Sequence, residues 1–466
     1  MDDTEREVEG LMSLPNEVLS RIFIYVDDSD IPILQQTLRS VIMTRQFWYN
    51  RIHRLCEEHV VSPPEEELKE YSIVQLEKWT MRRIRARSTF PVKLQLRSQY
   101  RPILGFYGDI FLVPGGRWLL NFHQDLRVYF VDLDSSNLQL DLLLEARMID
   151  PRVSQYQFNG NRIWIDHNAP RLSFHFEGSL ADAEGCIWVY IYQVDLVGHG
   201  TGAKLVARLI TTFRSPRENN PHGSHALNKR YFVQDRGYMS TPGPGVKIFD
   251  YRQTLGRRDY PVMECHTFPS EFYSSEMEFI HEDVLAIRSG STSFHYNPDT
   301  ESSFYYIFDI ESPTSFKLLH KIEIPQAAVV FSRPCWTSQA SLITFVSYPI
   351  SCDARVLHGL VIPHDSKNHP WMVELGNFVG KERLNMGFKL GIFSSLHCNS
   401  EEDTISRFRH EWDYTCALPR IGPAYISILK QDVEHMKTFI AFDEDTGRSV
   451  HFDDGNLDVV DIVIAG

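Results

Sequence analysis

LRVYFVDLD, residues 126–134, holds the pattern on which the fold turns: a β-branched and aromatic run that stops at an aspartate, Asp132. Such a run reads as a strand, and the aspartate suits the turn that follows it. The signature returns as IYQVD (Asp195), VKIFD (Asp250), YYIFD (Asp309) and LDVVD (Asp461), with weaker echoes in GLVIPHD (Asp365) and RHEWD (Asp413). Successive aspartates lie 48 to 63 residues apart, which predicts seven repeated units. Each would hold about 40–45 residues of a four-stranded blade plus loop insertions.

The texture between the repeats agrees. From about residue 100, runs such as GDIFLVPGGRWLLNF, NGNRIWIDH and EGCIWVYIYQVDL alternate with Gly, Pro, Asn and Asp turns. So many short strands without long helical patterns mean a propeller, a pair of sandwiches or a β-helix. The repeat favours the propeller, with seven blades ahead of six or eight.

The first hundred residues read differently. SLPNEVLSRIFIYV, residues 13–26, sets Leu14, Val18, Leu19, Ile22, Phe23 and Val26 on a helical stripe. Pro15 suits a first helical turn, and Glu17 favours its positive end. DDSD breaks the pattern, and a second helix would carry Ile31, Leu34, Leu38, Val41 and Ile42. A third, RQFWYNRIHRLCEEH, offers Phe47, Trp48, Ile52, Leu55 and Cys56. Three short helices make a poor core alone. They either pack on the rest of the chain or present an apolar face to a partner protein.

The 466 residues carry a net charge of −14, which argues against a general nucleic-acid binder. No apolar run approaches the ~18–20 residues of a membrane span. The acidic start, MDDTEREVEG, has no basic-then-apolar leader. Seven scattered cysteines form no CxxC pair, which fits a reducing compartment, cytoplasmic or nuclear.

LPNEVLSRIFIYVDDSDI resembles the opening of an F-box: Leu-Pro, an acidic residue, an aliphatic pair, Ile-Phe, then an aliphatic residue, Asp and Ile. The second half, TLRSVIMTRQFWYNRI, departs from the family in lacking its Cys-Arg-x-Trp centre, although Trp48 stands for the late tryptophan. A Pro-Pro and acidic linker follows, then a helix expected from about Ser72 to Arg87. This layout, with PGGRW (114–118) and FDEDTGRSVHFDDGNLDVVDI (442–462), resembles the F-box proteins of mushroom-forming fungi, in which a long β-rich domain follows the F-box.

The resemblance implies a multidomain α plus all-β chain. Its parts would be an acidic lead (1–10), a three-helix F-box (11–60), a linker with a helix (61–98) and a β-propeller (99–466). It implies the substrate-recognition subunit of a Skp–cullin–F-box ubiquitin ligase, with a Skp-type adaptor, through it a cullin, and a protein substrate as partners. Adaptor contact would fall on Leu14, Pro15, Glu17, Val18, Leu19, Ile22 and Phe23, with Leu34 and Trp48 as weaker members. The basic run MRRIRARSTFPVKLQLR reads as a solvated linker helix, because no aromatic stacking surface is interleaved with it.

On the propeller, the polar insert TTFRSPRENNPHGSHALNKR offers Arg214, Arg217, His222, His225, Lys229 and Arg230 to an acidic substrate or phosphopeptide, or is simply a polar loop. No catalytic residue, cofactor or metal site is read from the chain. GHGTGAKL (198–205) lacks the Gly-Lys-Ser/Thr ending of a phosphate loop and reads as a turn. GxSxG and HExxH are absent. Adjacent Cys265–His266 and His397–Cys398 would point to opposite strand faces. The alternatives are a propeller hydrolase with a helical appendage, or an adaptor-binding scaffold that delivers nothing for degradation.

Overall fold

The aspartate-ended runs become the third strands of antiparallel sheets. The computed structural model describes residues 44–58, 61–87 and most of 92–464, with short pieces between 14 and 31. Its strands gather into seven sheets of four or five strands. Sheet 1 holds Gly108–Leu112, Trp118–His123, Arg127–Asp132 and Asp141–Glu145. Sheet 2 is built on Ser173–Ala181, Ile187–Val197 and Lys204–Ser215; sheet 3 on His225–Leu227, Tyr231–Asp235, Gly245–Asp250 and Val262–Thr267. Sheet 4 runs from Ser274–His281 to Ser315–Ile324, sheet 5 from Ala328–Phe331 to Trp371–Val379, and sheet 6 from Phe388–Leu390 to Tyr425–Leu429. Sheet 7 joins Thr438–Asp443, Arg448–Asp453 and Asn456–Ile464 to Val92–Tyr100 from the other end of the domain.

Each sheet packs on the next, so a blade is covered on both faces and its strands need not alternate polar and apolar. Gly245–Asp250, for example, is buried at every position. Trp118, Leu120 and Phe122 of sheet 1 meet Phe174, Phe176 and Tyr190 of sheet 2. Phe213 of sheet 2 meets Phe232 and Phe249 of sheet 3. Sheets 3 and 4 share Val246, Ile248, Met277 and Phe279, and sheets 4 and 5 share Ile307 and Phe345. Thr344 donates to the Gly391 carbonyl at 2.8 Å between sheets 5 and 6, and the Ser394 amide reaches Glu444 at 3.0 Å toward sheet 7. Val450 and Val459 of sheet 7 then pack on Leu119 and Val131 of sheet 1. The circuit closes, as in a β-propeller.

At the seam the last strand takes Val92–Tyr100 as its neighbour, from Val92↔Ile464 to Tyr100↔Leu457. Most of that strand was expected in the linker (61–98), so the propeller begins inside it.

The recurring aspartates have a physical task. Asp132, Asp250 and Asp461 each pair with an arginine that opens the second strand of the same sheet: Arg117 (2.9 Å), Arg230 (3.0 Å) and Arg448 (2.8 Å). Arg117 and Arg230 also lie over the aromatic ring of the next residue, Trp118 and Tyr231. In sheet 2 the partner of Asp195 is Ser173, at 2.7 Å. Each pair fastens one end of a hairpin.

Two α-helices are present among the described residues: α1, Arg45–Glu58, and α2, Ile73–Arg87. They match the third helical pattern and the linker helix; most of the first two patterns lies outside the described residues. The expectation that α2 is solvated is corrected. Arg82 pairs with Asp134 and Asp461, Arg87 with Asp445, and Arg83 is buried over the Trp79 ring at 3.6 Å. Arg407 and Arg409 of sheet 6 donate to the carbonyls of Ala86 and Arg87 at the end of α2. The basic run is therefore spent on fastening α2 to the ring.

Candidate functional site

The N-terminal unit divides its apolar stripe between two directions. Leu19 and Ile31 are buried with Phe47, Trp48, Ile52 and Leu55 of α1 and with Leu76, Trp79 and Ile84 of α2. Arg45 holds the unit together by donating to the Tyr71 and Leu68 carbonyls at 2.6 and 2.7 Å, and Arg51 donates to Val26 at 2.9 Å. Leu14, Val18 and Ile22, spaced four apart on the stripe, are 36%, 42% and 41% exposed. Pro15 is exposed beside them, and its carbonyl accepts from the Val18 and Leu19 amides. The result is an outward apolar ridge over a packed floor. Trp48, expected to meet a partner, is 0% exposed and belongs to that floor. Glu17, Phe23 and Leu34 lie outside the described residues.

Below this unit, Ser62–Lys69 crosses the ring. The Ser62 amide donates to Asp445 at 2.8 Å, and Glu66 accepts from Arg117 at 3.0 Å and from the Gly200 amide at 3.2 Å. His199 bonds the other Glu66 oxygen, and Arg171 pairs with Glu70 at 3.2 Å. Glu66, Glu70 and His199 stand close enough to suggest a cation site, but arginines already occupy both carboxylates. GHGTGAKL is a turn, with Gly198 and Gly200 at positive φ.

The PGG turn before Arg117 makes this close approach possible. Gly115 and Gly116 have φ of 97° and 69°, and a Cβ on Gly116 would stand 2.3 Å from Thr446 Oγ1. Asp443 accepts from the Gly115 and Thr446 amides, and burial raises its pKa. Glu65 is pushed up to about 7, chiefly by burial and against the pull of Arg117 and Arg83.

Inside the ring, the first strands line a cavity of about 440 Å³. Trp336 stands at its wall with His167, His281 and Trp164 at ring separations of 4.7, 5.7 and 6.1 Å. The His364 ring lies 3.7 Å from that of His281, and burial lowers its pKa to about 4. These rings pack as neutral aromatics. No residue pattern marked the cluster, because its members come from three sheets.

The basic insert does not form one site. Arg214 lies near the end of Lys204–Ser215, while Lys229 and Arg230 occupy the turn at the far end of the next sheet's first strand. His225 is 2% exposed and bonded to Glu177 at 2.9 Å, and Arg230 is held by Asp250. His225 is structural, which corrects its assignment to substrate, whereas the Arg230 side chain stays 39% exposed beside its ion pair; Arg217 and His222 lie outside the described residues.

His451 gives a pH test of the ring. Burial holds its pKa near 3, so between about 3 and 6.5 the unfolded chain binds a proton that the folded one does not. Its contribution is complete above about 6.5 and falls as pH falls. Comparing urea midpoints at pH 7.5 and pH 5 should show a loss of about 2 kcal/mol from this residue. In His451→Gln that part of the pH dependence should disappear; an unchanged difference would contradict it.

The class is thus a β-propeller with an N-terminal helical unit fastened to one end of the ring. No family model matches the chain, and no curated protein matches it. Among solved structures it is similar to the WD40 domain of SCAP from fission yeast, at 11% identity over 76% of this chain and 80% of that chain, with a TM-score of 0.39.

Proposed function

We propose that this chain is the substrate-recognition subunit of a Skp–cullin–F-box ubiquitin ligase. The observation that carries the reading is the ridge of Leu14, Val18 and Ile22, exposed above a floor of Leu19, Ile31, Phe47 and Trp48. Its occupant would be the Skp-type adaptor, with Pro15 beside the ridge, Glu17 and Phe23 taking part as the resemblance implies, and a cullin recruited through it. Buried Trp48 and Leu19 would shape the surface without touching the partner. The seven sheets are read as seven blades of one ring, a reading supported by the pairing of Val92–Tyr100 with Asn456–Ile464. The ring would hold a protein substrate near the conjugating enzyme, so its contribution is proximity. Arg214, with Arg217 and His222, remains the proposed basic edge for substrate. The non-degrading scaffold shares the ridge and differs only in lacking a delivered substrate.

The test is adaptor affinity of the full chain and of Val18→Asp/Ile22→Asp. Each apolar side chain is worth roughly 1.5–3 kcal/mol when buried, so the double change should cost about 3–6 kcal/mol of binding. The melting temperature of the β domain should not move, because both residues are exposed. Undiminished adaptor capture by the double variant, or none by the natural chain, would remove the ridge from the interface.

A further inference from the structure

We propose that the cavity between Ser62–Lys69 and the turn at Asp166–Leu172 binds a small cationic ligand, an amine or amidine on a compact apolar body. This site lies between the helical unit and sheet 2, and its existence does not depend on the adaptor reading.

The cavity measures about 350 Å³, within the range of small-molecule sites. Pro63, Pro64, Leu68, Pro114, Pro170 and Leu172 give it an apolar wall. The charges around it do not cancel. Glu66 is taken by Arg117 and His199, Glu67 by Lys69, and Arg171 by Glu70. Two acidic side chains are left over, Glu65 and Asp166. Among the described residues the Asp166 carboxylate accepts the Asn168 amide of its own turn, at 3.0 Å, and meets no cation.

Glu65 is the more telling group. It is 8% exposed and lines this cavity, with its Oε1 on the side of Gly115 at the cavity's Pro114 wall. Among the described residues its carboxylate takes part in no hydrogen bond or ion pair; Arg117 and Arg83 act on it only through space. A buried carboxyl group without a donor is costly, and a cation with N–H donors meets that need. The proline wall offers no donor of its own, since proline has no N–H. The chemistry recognised is therefore a charged nitrogen at one end and an apolar ring or short chain at the other. Because one wall belongs to the linker and the other to sheet 2, the ligand would touch both and tighten their contact.

The experiment is calorimetric titration of the full chain at pH 7.5 with benzamidine and, separately, with its neutral counterpart benzamide. Benzamidine should bind with a submillimolar Kd, and benzamide roughly tenfold more weakly or less, the difference a charged hydrogen bond makes. Glu65→Gln should bring benzamidine down to the benzamide level and leave benzamide unchanged. Asp166→Asn, in an exposed turn, gives the same readout if the first variant does not fold. Ala169→Phe, which fills the cavity, should abolish both. No heat at millimolar benzamidine, equal binding of the two probes, or binding indifferent to Glu65→Gln and Asp166→Asn would overturn the proposal.

Discussion

Replacing Arg448 by Met should lower the unfolding free energy of the propeller by about 3 kcal/mol, the low end of the cost of breaking an ion pair with a buried partner, because Asp134 and Asp461 keep part of their surface in water. Arg448 is 0% exposed and donates to Asp461 at 2.8 Å, to Asp134 at 3.0 Å and to the Gly116 carbonyl at 2.6 Å. One guanidinium thus joins the second and third strands of sheet 7 to sheet 1. Burial alone would raise the Asp134 pKa; Arg448 foremost, then Arg82 and Arg97, hold it well below the usual carboxylate range. Without Arg448 only the two partly exposed arginines remain. The shift in urea midpoint at pH 7 measures the loss. The loss should shrink as acid protonates the carboxylates, because a lowered carboxylate pKa stabilises the fold only above it. A midpoint within about 0.5 kcal/mol of the natural chain, the range of ordinary surface changes, would show that the network carries no weight.

Removing residues 456–466 should be more damaging still. Asn456–Ile464 pairs on one side with Arg448–Asp453 and on the other with Val92–Tyr100. Its loss leaves Val92–Tyr100 without a partner strand and takes Asp461 away from Arg448, Arg82 and Arg97. It also removes Leu457, Val459 and Val460, each 0% exposed. At roughly 1.5–3 kcal/mol apiece these three account for about 5–9 kcal/mol. A domain is commonly stable by only about 5–15 kcal/mol, so little or nothing would remain. The expected result is loss of the cooperative thermal transition and aggregation through exposed sheet edges. A shortened chain that melted cooperatively at the full-length temperature would show that the ring does not depend on this strand.

The strands were legible because their signals are local. Asp132, Asp195, Asp250, Asp309 and Asp461 each close an apolar run, and each run became the third strand of a sheet. PGGRW and DTGRSV open second strands. Their arginines did not announce the aspartates across the hairpin, although Arg117, Arg230 and Arg448 share that position. The charged junction was illegible for a different reason. Arg82 and Asp461 are 379 residues apart, and nothing near Arg82 shows that its charge is spent. A basic helix looks solvated until its distant acidic partners are placed against it. His225 and Trp48 failed for the same cause: residue type suggested a surface, whereas burial was decided by strands and helices elsewhere. The cavity beside Glu65 combines linker and sheet 2, and no single stretch of sequence contains it.

The seam at Val92–Tyr100 also sets a clock. The strand waits on the ribosome for its partner, because Asn456–Ile464 is made only after the whole of the intervening ring. At about 5–20 residues per second, synthesis of the intervening chain takes roughly 20–70 s. Throughout that interval the amino-terminal strand has an open edge and the blades form an unclosed arc. The growing chain is therefore expected to need chaperone protection until Asn456–Ile464 emerges, and nascent chains stopped before Asn456 should be far more protease-sensitive than those that carry this strand.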